Sequence, residues 1–215
     1  MKLYIYDHCP FCVRARMIFG LRDVPVEEVV LLNDDEETPI GLIGAKQVPI
    51  LQKPDGTHMG ESLDIVRFID EYADKGRLKE EIRPEVQAWF DKIGEYYNKL
   101  VQPRDVKLGL PEFATQSAID YFVGKKEKTI GNFDTNLGKT KKYIERAHAN
   151  LAELEALIQS PAALGGELGM EDIIVFPILR NLTMVRGLEM PSKVSAYVQN
   201  MSEQSKVPLY FDRAL

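Results

Sequence analysis

Hydrophobic and polar positions in the first third of the chain switch between strand-like and helix-like patterns. Lys2–Tyr6 is β-rich, Phe11–Leu21 is an apolar and basic run suited to a helix, and Val26–Leu32 is β-rich again. Because a strand, a helix and a strand follow one another, we expect the two strands to be parallel. The continuous apolar run 29–32 predicts that the second strand is buried on both faces.

The following stretch predicts a short helix, an antiparallel pair of strands and a longer helix. The segments are 40–43 for the short helix, 48–51 and 58–59 for the strands, and 53–57 for the turn that joins them. Glu61 and Ser62 then open the longer helix, with Ser62 expected as its N-cap.

The rest of the chain has a helical pattern without a comparable strand-like run. Helices are predicted over residues 85–100, 115–126, 135–158, 171–186 and 192–205. The predicted fold class is therefore an α/β domain followed by an all-α domain. The predicted boundaries are 1–72 for the α/β domain, 73–83 for a polar linker and 84–215 for the helical domain.

Composition and charge narrow the range of partners. The chain has 215 residues, of which 28% are charged, and a formal net charge of −6. This charge argues against nucleic acid or an anionic membrane as the main partner, because phosphate binding needs clustered Lys and Arg. No apolar run approaches the ~20 residues of a membrane span, and no secretory signal is recognisable, so we expect a cytoplasmic protein.

The chain contains two cysteines, Cys9 and Cys12, where a predicted strand leads into a predicted helix. The N-terminus of a helix has unpaired N–H groups and a partial positive charge, which stabilise a thiolate. We therefore expect Cys9 to be the more exposed thiol with the lower pKa, and Cys12 to be more buried. Residues three apart on a helix have Cβ atoms about 5–6 Å apart, which is close to disulfide range.

Three interpretations of this cysteine pair stay open on the residues alone: redox chemistry, half of a metal site, or inert core thiols. A zinc site usually has four ligands, whereas this chain has no second cysteine pair and its histidines are scattered. The position after a strand favours redox chemistry, and we expect no metal. His8 directly precedes Cys9 and could tune its thiolate, but a histidine without a recognisable partner is more often incidental, which is what we expect here.

Two further positions suit a small peptide ligand. Val48, before Pro49, can offer its backbone N–H and C=O to an extended peptide, although an ordinary turn proline is the alternative. Ser62 and the helix N-terminus can hold a carboxylate and Glu61 can meet an ammonium, although plain capping is the alternative. Glutathione is a small peptide that fits these positions, because it carries two carboxylates, an ammonium and a thiol.

In this order, the stretches Tyr4–Cys12, Gln47–Leu51 and Gly60–Ser62 resemble a glutathione-binding domain of thioredoxin fold. With a helical domain behind it, the whole chain is similar to the bacterial glutaredoxin 2 family, whose members are built like a glutathione transferase. The resemblance implies a glutathione-dependent thiol–disulfide oxidoreductase that reduces protein–glutathione mixed disulfides and protein disulfides. It implies that Cys9 is the nucleophile and Cys12 the resolving thiol.

The resemblance also implies a glutathione site. Its residues are Pro10, Phe11, Gln47, Val48, Pro49, Glu61 and Ser62. Val48 would pair its backbone with the cysteinyl unit, Pro49 would be a cis-proline, and Glu61 and Ser62 would hold the γ-glutamyl end. Small glutaredoxins usually have Tyr in place of Phe11, Thr in place of Gln47 and a Gly-Gly turn in place of Gly60-Glu61-Ser62.

We expect glutathione as a co-substrate without a bound cofactor, disulfide-containing or glutathionylated proteins as partners, and a monomer. The main alternative is a cysteine-type glutathione transferase or dehydroascorbate reductase. A non-catalytic interaction protein and an iron–sulfur centre bridged between two chains are further alternatives.

Several other residues are expected to be structural. The stretch Gly169–Ile173 resembles the buried capping box of transferase folds, which implies that Asp172 serves folding. Trp89, Tyr96 and Tyr97 are expected in the helical core, with the wall of a cleft as the alternative. The acidic run 34–37 is expected to be a solvated loop.

Overall fold

The computed structural model describes all 215 residues, which form ten α-helices and one four-stranded sheet. The chain divides into two compact units. The first unit contains Met1–Arg77 and two later segments, Gly109–Gly124 and Ser205–Val207. The second unit contains Leu78–Leu108, Lys125–Gln204 and Pro208–Leu215. The domain boundaries derived from the sequence, with a linker over 73–83, stay a prediction.

The first unit is built on a mixed sheet with the strand order β2-β1-β3-β4. Its elements are β1 (Lys2–Ile5), α1 (Pro10–Leu21), β2 (Glu27–Val30), α2 (Glu37–Ile43), β3 (Ile50–Gln52), β4 (His58–Met59) and α3 (Ser62–Ala73). As predicted, β1 and β2 are parallel and β4 is antiparallel to β3; β3 is also antiparallel to β1. The sheet therefore has the parallel unit and the antiparallel return that the sequence pattern indicates.

The prediction that residues 29–32 are buried on both faces is wrong. β2 is an edge strand, since β1 is its one neighbour in the sheet. Val29 and Val30 are half-buried, and Leu32 is 37% exposed. A continuous apolar run does not reveal how many neighbours a strand has, because that depends on where the later strands pair.

The start of α3 also differs from the prediction. Glu61 occupies the N-cap position with φ 62°, and Ser62 is the first helical residue and buried. A positive φ is uncommon for a residue with a side chain. Ser62 is therefore not the N-cap, but it still lies in the first helical turn, where backbone N–H groups have no intrahelical partner.

The acidic run 34–37 makes specific contacts and is not only a solvated loop. Asp35 Oδ1 accepts a hydrogen bond from the N–H of Thr38 at 2.9 Å, close to the start of α2. Asp34 accepts a hydrogen bond from Ser117 at 2.6 Å, and Glu36 accepts one from Tyr121. The loop is thus tied to the segment Gly109–Gly124, which the local sequence could not indicate.

The later helices are α4 (Pro84–Gly94), α5 (Tyr97–Asp105), α6 (Gln116–Ile130), α7 (Phe133–Gly138), α8 (Thr140–Leu157), α9 (Met170–Leu182) and α10 (Ser192–Ser205). Short 3-10 helices cover Pro111–Phe113 and Phe211–Arg213. The predicted helices 85–100 and 135–158 are each divided in two. The first part ends at Gly94 in one case and Gly138 in the other, consistent with the poor helix propensity of glycine. No helix has the length and apolar character needed to cross a membrane.

The aromatic residues of α4 and α5 belong to the core of the second unit. Trp89, Tyr96 and Tyr97 are 2%, 1% and 5% exposed. Trp89 Nε1 donates to the carbonyl of Asn150 at 2.8 Å, and the Tyr96 hydroxyl donates to Asn150 Oδ1 at 2.7 Å. These contacts support the structural role expected for the three residues.

Asp172, in the first turn of α9, is a buried acceptor for three donors. It accepts hydrogen bonds from the N–H of Leu164 at 2.8 Å, the N–H of Gly169 at 3.0 Å and the hydroxyl of Tyr197 at 2.8 Å. Burial raises the pKa of its carboxyl group. The side chain thus joins the start of α9 to the preceding loop and to α10.

Asp172→Ala is expected to lower the free energy of unfolding by about 3 kcal/mol, because three buried donors lose their acceptor. Thermal and urea denaturation measure the change. Asp172→Asn, which keeps an acceptor oxygen, is the matched control and should cost less. A normal melting temperature of Asp172→Ala together with a loss of Cys9 reactivity would contradict the folding role.

Close packing at the end of α1 provides a second test. A Cβ on Gly20 would overlap the carbonyl oxygen of Ser205. Gly20→Ala is therefore expected to destabilise the protein by about 1–3 kcal/mol, although alanine favours a helix. Gly41 in α2 has nothing within 4 Å of such a Cβ, so Gly41→Ala is the control and should not destabilise. Equal melting temperatures of the two variants would show that α1 does not pack this closely.

Candidate active site

Cys9 and Cys12 lie at the start of α1, directly after β1 on the chain. Cys9 is the N-cap of α1 and Pro10 is the first helical residue. Both cysteines are free thiols; Cys9 is half-buried and Cys12 is fully buried. The relative exposure agrees with the expectation from their positions in the motif.

The pKa of Cys9 is lowered to about 6. The largest cause is a hydrogen bond from the side chain of Cys12, and burial acts in the opposite direction. The charge of His8 and the N–H groups of Cys12 and Phe11 contribute further. The direction agrees with the prediction, which relied on the helix N-terminus, and the side chain of Cys12 is the largest single cause.

Burial raises the pKa of Cys12 well above its ordinary value, and the neighbouring Cys9 raises it further. The N–H of Tyr6 donates to Cys12 Sγ at 3.4 Å. At neutral pH, Cys9 is therefore a thiolate while Cys12 keeps its proton and can donate it in a hydrogen bond. The two thiols have different protonation states although they belong to one helical turn.

The two arginines of α1 each contact another group, which reduces the positive charge that they offer to the cysteines. Arg16 is buried and pairs with Asp7 at 2.6 Å and with Glu28 at 2.9 Å. The guanidinium of Arg14 lies 4.7 Å from the ring centroid of Phe11. Arg16 therefore acts mainly within its own ion pairs.

Six of the predicted glutathione-binding residues line one cavity of about 230 Å³. They are Phe11, Gln47, Val48, Pro49, Glu61 and Ser62. The Val48–Pro49 peptide bond is cis. Cys9 and Pro10 do not line this cavity, but they immediately precede Phe11 on the chain. Three separate segments thus meet at one place, and the role of each residue stays a prediction.

The cavity combines groups of different chemistry. Phe11 is 52% exposed and offers an apolar ring. Ser62 brings the first turn of α3 to the cavity, with its unpaired N–H groups. Glu61 adds a carboxylate, and Gln47 Nε2 donates to it at 3.2 Å. The lining therefore suits a ligand that carries both a carboxylate and an ammonium.

His8 has a close partner that its position in the sequence does not indicate. His8 is 8% exposed and its Nδ1 lies 2.6 Å from Glu112 Oε1. Its ring stacks on Tyr6 with a centroid distance of 5.9 Å, and the rings of Phe113 and Phe122 are each 5.1 Å away. Glu112 stands alone as a charge within the apolar stretch 110–113, which is a weak signal, and it is 104 positions away from His8.

Lys46 is a second residue that the sequence argument missed. Its Nζ donates to the hydroxyl of Tyr6 at 2.6 Å and to the carbonyls of Asn33 at 2.9 Å and Asp35 at 2.5 Å. These bonds tie the end of β1, next to Cys12, to the loop after β2. The contact depends on chain folding and has no local sequence signal.

Comparison with known proteins assigns the chain to a family. The family model described as "Glutaredoxin 2, C terminal domain" matches residues 85–214, and the model of the glutathione S-transferase N-terminal domain matches residues 3–77. Glutaredoxin 2 of Escherichia coli K12 is 48% identical over 215 residues, which cover 100% of both chains. The chain belongs to the glutaredoxin 2 family.

Solved structures agree with this membership. The crystal structure of Glutaredoxin 2 from Salmonella typhimurium in complex with glutathione matches with a TM-score of 0.97 at 47% identity, covering 100% of this chain and 98% of that chain. Gtt2 from Saccharomyces cerevisiae matches with a TM-score of 0.57 at 18% identity, covering 96% and 99%, and shares the fold alone. The predicted transferase-like fold and the predicted enzyme class, a glutathione-dependent oxidoreductase of the glutaredoxin type, are confirmed.

The effect of the Cys12 thiol on the pKa of Cys9 can be tested in the absence of glutathione. Cys12→Ala should raise the pKa of Cys9 by about one unit, because the strongest stabilising donor is lost. The rate of Cys9 alkylation by iodoacetamide, measured against pH, should be half-maximal at about pH 6 in the wild type and at a higher pH in the variant.

Cys12→Ser is the matched control, because a serine hydroxyl can still donate a hydrogen bond. Its midpoint should lie between those of the wild type and Cys12→Ala. An unchanged midpoint in Cys12→Ala would show that the Cys12 thiol does not stabilise the thiolate.

Proposed function

We propose that this glutaredoxin reduces protein–glutathione mixed disulfides with Cys9 as its nucleophile, and protein disulfides with Cys9 and Cys12 together. The observation that carries the proposal is the pair of unequal thiols at the start of α1. Cys9 is half-buried with its pKa lowered to about 6, and the buried Cys12 beside it keeps its proton. A thiolate is the reactive form in thiol–disulfide exchange.

The route for mixed disulfides needs one cysteine. The Cys9 thiolate attacks the glutathionyl sulfur, a Cys9–glutathione disulfide forms, and the protein thiolate leaves and takes a proton from solvent. The thiolate of a second glutathione then attacks the sulfur of the bound glutathione. Glutathione disulfide, formed from the glutathionyl group of the substrate and one free glutathione, is released, and the Cys9 thiolate is regenerated.

The route for protein disulfides needs both cysteines. Cys9 attacks one sulfur of the substrate disulfide and forms a mixed disulfide with the protein. Cys12 then loses its proton and attacks the Cys9 sulfur, which releases the second substrate thiolate and leaves a Cys9–Cys12 disulfide. Two glutathione molecules reduce that disulfide and are oxidised to one glutathione disulfide.

We assign glutathione to the cavity that is lined by Phe11, residues 47–49 and residues 61–62. The backbone of Val48, before Pro49, would pair with the cysteinyl unit in the manner of an added strand. Ser62 and the first turn of α3 would hold the γ-glutamyl carboxylate, while Glu61 would meet the ammonium. The assignment is supported by the chemistry of the lining and by the glutathione bound in the Salmonella typhimurium relative. Glutathione is then a co-substrate, and the chemistry requires no further cofactor.

We place the protein in the cytoplasm, where a reducing environment keeps a free dithiol reduced. Its partners would be disulfide-containing or glutathionylated proteins. The formal net charge of −6 argues against nucleic acid or a membrane surface as a partner. A monomer suffices for this function, because every proposed site residue belongs to one chain.

The test of this function is the reduction of a glutathionylated peptide by glutathione, coupled to glutathione reductase. Cys9→Ser should reduce turnover at least about a hundredfold, because the nucleophile is lost. Cys12→Ser should keep turnover with the glutathionylated peptide and lose it with a protein disulfide substrate. If Cys12→Ser abolished both reactions as fully as Cys9→Ser, the proposed division between the thiols would be wrong.

A second reaction tests the alternative. A cysteine-type transferase would conjugate glutathione to an electrophilic aryl halide faster than the background reaction. Conjugation by the wild type without turnover of the glutathionylated peptide would overturn the proposed function in favour of that alternative. The Cys9→Ser variant is the control for background conjugation.

A further inference from the structure

A buried contact between His8 and Glu112 lies next to the nucleophile on the chain. Glu112 is 0% exposed and His8 is 8% exposed. Glu112 Oε1 accepts the main-chain N–H of His8 at 2.9 Å and lies 2.6 Å from His8 Nδ1. The other oxygen, Oε2, is buried without a hydrogen-bond partner. One carboxylate oxygen thus contacts both the backbone and the ring of the residue that precedes Cys9.

The contacts of this pair favour a charged state of both partners. Oε1 accepts the main-chain N–H of His8, which disfavours a proton on that oxygen, and a proton on Oε2 would leave a buried O–H without an acceptor. An ionised Glu112 beside a neutral His8 would leave an uncompensated buried charge, which is strongly unfavourable. A carboxylate with an imidazolium has no net charge and allows a short, charge-assisted hydrogen bond.

We propose that Glu112 holds His8 as an imidazolium, and that this positive charge stabilises the thiolate of Cys9. Both are positioning residues, since Glu112 acts through His8 and His8 acts on Cys9. The inference rests on the proposed function in one respect, namely that the Cys9 thiolate is the nucleophile. It adds a residue of the distant segment Gly109–Gly124 to the residues that support that thiolate.

The other ionisable groups around His8 and Cys9 do not provide this charge. Tyr6, which stacks on the His8 ring, stays neutral because burial raises its pKa. Cys12 also stays neutral because burial raises its pKa. Phe113 and Phe122, two further rings against His8, carry no charge.

Two other cations of the first unit, Arg16 and Lys46, are engaged with other groups. Arg16 is paired with Asp7 and Glu28. Lys46 donates to the Tyr6 hydroxyl and to the carbonyl of Asp35, and its Nζ lies 5.6 Å from the ring centroid of Tyr121. The lowered pKa of Cys9 accordingly has the hydrogen bond from Cys12 as its largest cause and His8 as its charged contributor.

The sign of the effect of Glu112 separates this proposal from a direct action on Cys9. A carboxylate that acted on Cys9 alone would disfavour the thiolate, so removing its charge would lower the pKa of Cys9. A carboxylate that acts through His8 has the opposite effect, because its removal leaves His8 neutral. A purely structural Glu112 would change stability without moving the pKa.

The experiment compares full-length wild type, Glu112→Gln, His8→Asn and the double variant by Cys9 alkylation with iodoacetamide against pH. Each single variant should move the midpoint upward, and reduce the rate at about pH 6 roughly threefold to tenfold. The double variant should shift no further than His8→Asn, because the two residues act in sequence. Additive shifts, an unchanged midpoint or a lower midpoint in Glu112→Gln would overturn the proposal.

Asp34→Asn is the matched control. Asp34 also contacts the segment Gly109–Gly124, through Ser117, and its replacement also removes one negative charge. Its alkylation midpoint should equal that of the wild type. A shift as large as that of Glu112→Gln would show that loosening this segment, and not the charge of His8, moves the midpoint.

A measurement on the wild type covers the case in which Glu112→Gln fails to fold. The chain has three histidines, so variants of His58 and His148 assign the ring ¹⁵N signals of His8. The signals should be those of an imidazolium at neutral pH, and those of a neutral ring would overturn the proposal. Neither measurement uses glutathione turnover. If the variants show the predicted shifts but the wild type does not reduce mixed disulfides, only the proposed function is refuted.

Discussion

The largest single effect that holds Cys9 of this protein as a thiolate comes from the buried thiol of Cys12. It depends on two environments that differ within one helical turn. Cys12 is enclosed by the core of the first unit, so it keeps its proton, while Cys9 lies at the helix N-terminus and is half-exposed. The rest of the first unit maintains this difference, because β1 delivers the chain to α1 and the residues of α1 that follow Cys12 are largely buried.

Parts of the chain that are far apart in sequence complete this environment. Glu112, in a short 3-10 helix, contacts His8 next to the nucleophile, and Lys46 ties Tyr6 to the loop after β2. The cavity is likewise formed by three segments, with Phe11 contributed by the helix that carries the thiols. The active site is thus a small local motif that distant residues surround and bury.

Local sequence patterns were sufficient to predict the order of helices and strands. They failed for burial, capping and side-chain contacts, which depend on the residues packed around each position. The run Val29–Leu32 is apolar, yet β2 is an edge strand because no later strand pairs beside it. Ser62 was expected as a cap, but the backbone of Glu61 takes the cap position with a positive φ. His8 and the acidic run 34–37 were assigned no partner, because their partners lie in the segment Gly109–Gly124.

The sequence by itself determined the strand–helix–strand start, the helical second half and the unequal thiols of Cys9 and Cys12, and the resemblance of its motifs to a known family indicated six residues that line the cavity. These features depend on periodicity, on helix termini and on motif spacing, all of which are local. Only the tertiary structure decided which group lowers the pKa of Cys9 most, where β2 lies in the sheet, and that Glu112 contacts His8. Burial and long-range pairing set those outcomes, and both arise from residues that are distant along the chain.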